Sequence, residues 1–471
     1  MKRFICLVMF VHLMTTPCHA RPGEIDTGAK DQTSLFVTIY NQDMALVKEK
    51  RAVVLPGGES TLAFRDVSGR IIPETALLKS KGLRVVEQNF EFDLLSPESL
   101  LEKFTGKTVE LIKTHPETGR ETRLTATVLA TQNGVVLETP TGIETGIPGR
   151  LLFPHIPDNL RTSPTLTMTV LNSAPQSREL ELSYLTRGLT WRADYVAELN
   201  PDDDRLNLKA WVTLTNTSRT DYLDATLQLV AGDIHLAPRE QRNRAMPMMM
   251  TSVEADGGFA QEEMFEYHLY TLERKTTLKN NQTKQVALLQ AENVPCTKAY
   301  RIDGQGYYFS RSMGPDGENP KVQVLLHLEN EKKNNLGMPL PKGVIRVYKQ
   351  DSQGMLQFAG EDHMDHTPDK GALKLTLGNA FDITAEKKQT DFKKLSTSSK
   401  DAFRYQSAYE IKISNAKAIP VTVTVSEPVP GDWRITRQSH PHTKAASNRA
   451  QWQISVPARG EATLGYTAQT K

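Results

Sequence analysis

The chain has 471 residues, with 57 basic and 55 acidic side chains and three cysteines. A near-neutral balance gives no electrostatic case for nucleic acid or for an anionic membrane surface as partner. No apolar run reaches the ~20 residues that a bilayer-spanning helix needs, so no membrane span is expected.

The N-terminus reads as a secretory signal. Lys2-Arg3 precede the apolar run "FICLVMFVHLM", and "TTPCHA" ends in small residues before Arg21. Cleavage is expected after Ala20, giving residues 1–20 as signal peptide and a periplasmic destination. Cys18 follows Thr15, Thr16 and Pro17, which are poor lipidation-signal residues. Cleavage removes Lys2 and Arg3 and no acid, so 57 basic side chains become 55 against 55 acidic ones. It also removes Cys6 and Cys18 and leaves Cys296, so no intrachain disulfide is available. The exported chain must rely on its core, and about 450 residues suffice for roughly two to four domains.

Period-2 alternation dominates the remainder of the chain. "LFVTIYN" (35–41), "TVELIKT" (108–114), "RLTATVLA" (123–130), "LKLTLG" (373–378) and "VTVTVSE" (421–427) each alternate apolar with polar or small residues. This is the pattern of strands with one buried face. Turn signals such as Pro56-Gly57-Gly58, Asn133-Gly134, Asp256-Gly257-Gly258 and Pro430-Gly431-Asp432 separate them. The fold class is all-β, with several β-sandwich-like modules. One helix is expected in "SPESLLEKFTG", where Ser96 caps, Pro97 fits the first turn and Gly106 ends it. The segment after it predicts four or five short strands, a small SH3-like or Sm-like barrel near 103–155. The chain thus divides into an N-terminal β domain over 33–157 and a β-sandwich domain over 158–471. Loops are expected at 237–262 and 393–401, where the sequence loses its period.

"MTVLN" (168–172), "VTLTN" (212–216), "LHLEN" (326–330) and "IKISN" (411–415) repeat one pattern, apolar-x-apolar-x-Asn. It predicts repeated hairpins, with Asn accommodating the turn that ends each strand.

Three stretches carry candidate chemistry. "YLTRGLTWRADYVAEL" (184–199) concentrates aromatic and charged residues. Sorted by strand period, Leu189, Trp191, Ala193, Tyr195, Ala197 and Leu199 form a core stripe; burying a residue like Trp191 contributes ~2–3 kcal/mol. Thr190, Arg192, Asp194 and Glu198 lie opposite, where an Arg192–Asp194 pair contributes roughly 0–1 kcal/mol. Arg187-Gly188 reads as a kink. Arg187, Trp191 and Arg192 are the candidate ligand-binding residues. "GEDHMDH" (360–366) offers Glu361, His363, Asp365 and His366 as candidate metal ligands. On a regular strand His363 and His366 diverge, so a solvated strand end is the competing reading. "MPMMM" (246–250), flanked by His235 and His268, offers thioethers for copper(I) or a methionine-rich loop. Cys296 lacks a local nucleophile signature and reads as a buried thiol. No His-Glu-x-x-His, Gly-x-Ser-x-Gly or Gly-x-x-x-x-Gly-Lys occurs, which weakens an enzymatic reading. No cofactor is called for.

"WVTLTNTSRTDYLDATLQLVAGD" (211–233), "LGMPLPKGVIRVYKQDSQGMLQFAGEDHMDHTP" (336–368), "LGNAFDITAEKKQTDF" (377–392) and "EPVPGDWRI" (427–435) extend the 184–199 stretch in order. Together they resemble an uncharacterised bacterial envelope domain, the C-terminal domain of unknown function of mucoidy inhibitor A-like proteins. The likeness covers roughly 160–471 and carries no catalytic residues with it. His363 falls between the family-like "GED" and "HTP" elements. The chain departs from mucoidy inhibitor A over 30–160, which has strands where a long helical segment would stand. The resemblance implies an envelope protein that binds or scaffolds other envelope components, loosely linked to exopolysaccharide. A carbohydrate-binding protein, with Trp191, Trp211, Trp433 and Trp452 as anchors, and a metal-binding protein or metallohydrolase are the alternatives. The expected partner is an envelope protein or a glycan.

Overall fold

A computed structural model describes residues 23–157, 160–232, 234, 259–264, 267–314, 316–395 and 405–471. The expected signal segment, "MPMMM" and most of the 237–262 loop lie outside the described residues. The described strands form six sheets and no long helix. Threonine, valine and leucine at alternating positions account for this, because branched side chains suit a pleated, half-buried surface.

The largest sheet has eight strands, with Gln32–Tyr40, Met44–Leu55 and Gln176–Thr186 near its centre. A four-stranded sheet holds Glu24–Thr27, Gly58–Arg65, Thr165–Asn172 and Leu83–Glu91. A five-stranded sheet orders Gln282–Pro295, Arg205–Asn216, Leu189–Leu199, Gly343–Gln350 and Leu356–Met364. One continuous core joins these three sheets. The C-terminal sandwich has its own core. Its six-stranded sheet includes Thr297–Asp303, Val421–Pro428 and Arg449–Val456, and its four-stranded sheet includes Ile383–Lys394, Tyr405–Asn415 and Gly460–Thr470.

The strands on either side of residue 158 interleave. Thr165–Asn172 pairs with both Gly58–Arg65 and Leu83–Glu91, and Gln176–Thr186 pairs with Met44–Leu55 along its length. The small unit is therefore an insertion between two neighbouring strands. Its entry and exit are held together where Arg161 N donates to Asp93 O at 2.9 Å. The buried Arg161 guanidinium binds Glu24 at 2.8 and 2.9 Å and Glu91 at 2.5 Å. The insertion begins with the expected helix, Pro97–Lys103, whose Ser96 side chain accepts from Ser99 N at 3.1 Å. Five strands come after it in the order Gly142–Thr145, Val136–Thr139, Glu121–Ala130, Thr108–Thr114, Arg150–Leu152. Strand number and place match the expected small barrel, but closure does not: the sheet is open, with no ladder between its two edge strands. The helix covers its apolar face instead, with Phe104 packed among Val109, Leu111, Val128 and Leu137.

The repeated asparagines are strand ends, for a reason different from the expected one. None of Asn172, Asn216, Asn330 and Asn415 has a positive φ, and all four are buried. Each side-chain amide donates to backbone carbonyls: Asn172 to Pro56 and Ala174, Asn216 to Thr220 and Leu278, Asn330 to Met338 and Pro368, Asn415 to Ile419 and Pro457. The oxygens accept in turn from Arg178, Ser218, Gly337 and Lys417. The next long strand after each asparagine belongs to a different sheet, so these are arches between sheets and not hairpins. An arch turns the backbone away from its ladder inside the core, and the asparagine satisfies the carbonyls exposed there.

Candidate functional site

The period-2 rule places two ionisable side chains inside the C-terminal sandwich. Ile383, Ala385 and Lys387 point inward from one sheet; Val421, Val423, Val425 and Glu427 point inward from the other. Lys387 Nζ lies 2.6 Å from Glu427 Oε1, with side chains 1% and 0% exposed. The ammonium also sits 3.7 Å from the centre of the Tyr308 ring and 4.5 Å from that of Tyr409, an arrangement that ring quadrupoles favour. Glu427 Oε2 and the Tyr466 hydroxyl are buried without well-formed hydrogen bonds. No Cβ fits at Gly304, whose backbone packs against the Glu427 carboxylate. Burial pushes the Lys387 ammonium pKa down, opposed by the charges of Glu427 and Glu318. Burial raises the Tyr308, Tyr409 and Tyr466 hydroxyls, with Glu318 adding to the rise at Tyr308 and Glu427 at Tyr409 and Tyr466.

Tyr308 connects this pair to the surface. Its hydroxyl donates to Glu318 Oε2 at 2.6 Å, and that of Tyr307 donates to Glu318 Oε1 at 3.2 Å. Glu318 is held in place by a reciprocal backbone pair with Lys387, at 2.8 Å each way. Around it opens a groove of about 430 Å³, lined by Asp303, Gln305, Tyr307, Tyr308, Glu318 and Gln323 among others. Tyr307 is 38% exposed, and the Arg311 guanidinium lies 4.2 Å from its ring centre. Arg301 Nε donates to Asp303 Oδ2 at 2.9 Å, which orients that carboxylate at the groove rim.

A second polar cluster occupies the outer face of the five-stranded sheet. Asp194 accepts from Thr213 at 2.6 Å, from Arg192 at 3.2 Å and from Arg346 at 3.4 Å. Arg346 also pairs with Glu361 at 3.1 Å. Burial alone would raise the Asp194 carboxyl; the Thr213 hydrogen bond and the two arginines outweigh it and hold the pKa below its ordinary value. Trp211, directly opposite Asp194 across the ladder, is 39% exposed.

This geometry sorts the residues singled out in the sequence. Trp191 is buried at 5% in the core stripe and is unavailable to a ligand. Arg192 is exposed beside Asp194, and Arg187 is exposed at the kink. The expected kink is a break between sheets: Gln176–Thr186 ends in the eight-stranded sheet and Leu189–Leu199 begins in the five-stranded one, with Gly188 between them at φ +86°, where a Cβ would meet the Ser218 backbone. Glu361 and His363 are exposed on one strand and Asp365 lies beyond its end. His366 turns elsewhere, its Nδ1 accepting from Lys342 N at 3.2 Å. Glu361 and His366 are engaged separately, by Arg346 and by Lys342 N, and among the described residues no three His, Cys, Asp or Glu side chains converge as a metal site. Of the tryptophans, Trp452 is fully buried and Trp433 donates to Ser447 O at 2.8 Å, leaving Trp211 as the most exposed. Cys296 is buried, and burial, then Asp204 and Asp203, push its thiol up to about 11, so it stays protonated.

A family model described as a domain of unknown function, DUF4139, matches residues 180–471. The chain belongs to the DUF4139 family. No curated protein matches it. The DUF4139 region contains the Asp194 cluster, three of the four arch asparagines, the buried pair and the groove. It leaves out the inserted five-stranded unit, so the polar features gathered here belong to the family portion. Sequence reasoning missed Lys387, Glu427 and the groove. The available signal was an ionisable residue at the inward position of each of two alternating strands.

Proposed function

We propose that the chain is an exported, non-catalytic binding protein of the bacterial envelope, and that the groove beside Tyr307 and Tyr308 holds a glycan. The carrying observation is the lining: a partly exposed tyrosine among carboxylate and amide side chains in one concavity. Tyrosine offers an apolar face and a polar tip, and the carboxylates and amides supply the acceptors and donors that a hydroxyl-rich ligand needs. The signal-like N-terminus and the resemblance to mucoidy inhibitor A-like proteins support the location, and protein recovered from the periplasm should begin at Arg21.

The test is a panel of immobilised envelope oligosaccharides and exopolysaccharides probed with labelled protein at neutral pH. Retention on at least one glycan is expected, lost in Tyr307→Ala and kept in Trp211→Ala. No retention on any glycan rejects the reading. Loss in Trp211→Ala alone moves the ligand to the outer face beside Asp194.

A further inference from the structure

We propose that Lys387 and Glu427 condense to an isopeptide bond that joins the two sheets of the C-terminal sandwich. Four observations converge on it. The reacting groups are already in contact at 2.6 Å, with side chains 1% and 0% exposed. They come from strands of opposite sheets, Ile383–Lys394 and Val421–Pro428, so the backbone holds them together without any domain motion. The aromatic rings of Tyr308 and Tyr409 confine Nζ and exclude water. Glu427 Oε2 makes no well-formed hydrogen bond, so Lys387 is the main partner of this buried carboxylate, with the Tyr466 hydroxyl beside it.

The last point sets the chemistry. Two ions out of water are costly to keep charged, and a proton transfer from Nζ to the carboxylate removes both charges. Lowering of the Lys387 pKa by burial acts in the same direction. What remains is a neutral amine in contact with a carboxylic acid, the two kept side by side by the fold. The Nζ lone pair attacks Cδ of Glu427. The new C–N bond forms, one C–O bond breaks, and the departing hydroxyl takes a proton from the nitrogen and leaves as a single water. No oxidant, reductant or cofactor enters the balance. The Tyr466 hydroxyl is buried against Glu427 without a well-formed hydrogen bond and can donate to the carbonyl oxygen as charge gathers there. Gly304, between the groove residues Asp303 and Gln305, packs its backbone against the Glu427 carboxylate, so the pair lies one residue away from the groove lining. Cys296 is the one cysteine among the described residues, so no disulfide ties this sandwich. The link is independent of whatever the groove binds.

The experiment is proteolytic digestion of the purified full chain, followed by tandem mass spectrometry. One branched peptide joining the segments that contain Lys387 and Glu427 is expected, lighter than the two together by the mass of one water. Lys387→Arg keeps the cation and should abolish the branched peptide. Glu427→Gln should still form it, with ammonia lost in place of water. Two separate, unmodified peptides from folded wild-type protein overturn the proposal, as does a water loss that maps elsewhere. Should Lys387→Arg fail to fold, the wild-type digest decides alone.

Discussion

Two buried ion pairs lie in different cores of this molecule and are built in opposite ways. Arg51 and Glu49 sit on one strand, with side chains 2% and 3% exposed. Their contact is bidentate: Arg51 Nε and Nη2 each donate to Glu49 at 3.1 Å. Arg51 Nη1 donates to Thr27 O at 2.7 Å, and Gln32 donates to Glu49 at 2.8 Å. Both carboxylate oxygens are satisfied. Lys387 and Glu427 instead span two sheets through a single contact and leave Oε2 without a well-formed hydrogen bond. A fork-to-carboxylate pair satisfies its own hydrogen bonds and is chemically inert. A lysine can lose its proton when buried, which a guanidinium does not. The comparison separates a pair that only holds structure from one poised to react.

Replacing both partners breaks or sharpens that contrast most strongly. Glu427→Ala alone strands a buried lysine and should cost about 3–5 kcal/mol in urea unfolding, as should Glu49→Ala at Arg51. Apolar double replacements then part company. Arg51→Met with Glu49→Leu should return to neutral or gain ~1–4 kcal/mol, as expected for an ion pair alone. Lys387→Met with Glu427→Leu should stay destabilised, because the covalent link between sheets is gone. Equal recovery at both sites would remove the distinction.

The arch asparagines are satisfied mainly by backbone groups, and they rank next. Asn216→Ala orphans the carbonyls of Thr220 and Leu278 in the core and should cost ~1–3 kcal/mol. A loss below ~0.5 kcal/mol, the usual range for a surface change, would mean that these asparagines do not support the arches. The Arg192–Asp194 contact, whose arginine is exposed, should respond least. Arg192→Ala should change stability by roughly 0–1 kcal/mol, since the arginine is solvated. The sign of its pH dependence is fixed. Asp194 has a folded pKa held below its ordinary 3.8, so its contribution is complete above that value and lost as pH falls through the lower one. Arg192→Ala should shrink that acid-side loss, measured as the unfolding midpoint between neutral pH and pH ~3. An unchanged acid limb would show that Thr213 and Arg346 suffice.

Much of the fold was legible because alternation reports directly on burial. Leu189, Trp191, Ala193, Tyr195, Ala197 and Leu199 are all buried, as their spacing requires. Asp194 shows the limit: it lies on the polar face but is buried by the arginines and Thr213 around it. The arch asparagines were visible as a motif, but their role depends on carbonyls from distant turns. The interleaving across residue 158 was hidden for a similar reason. Strand period says which face is buried and nothing about which strand is the neighbour. Lys387 and Glu427 each fit a strand pattern, and only the stacking of two sheets makes them a pair. The groove is built from a short turn at Gly306–Phe309 and the segment from Glu318, neither of which has a period to read.

Binding in the groove is tested most directly by calorimetric titration of the glycan retained on the panel into folded wild-type protein and Tyr307→Ala. Saturable binding by wild type, lost in Tyr307→Ala at an unchanged unfolding midpoint, is the predicted result. Equal affinity in the two proteins would contradict it.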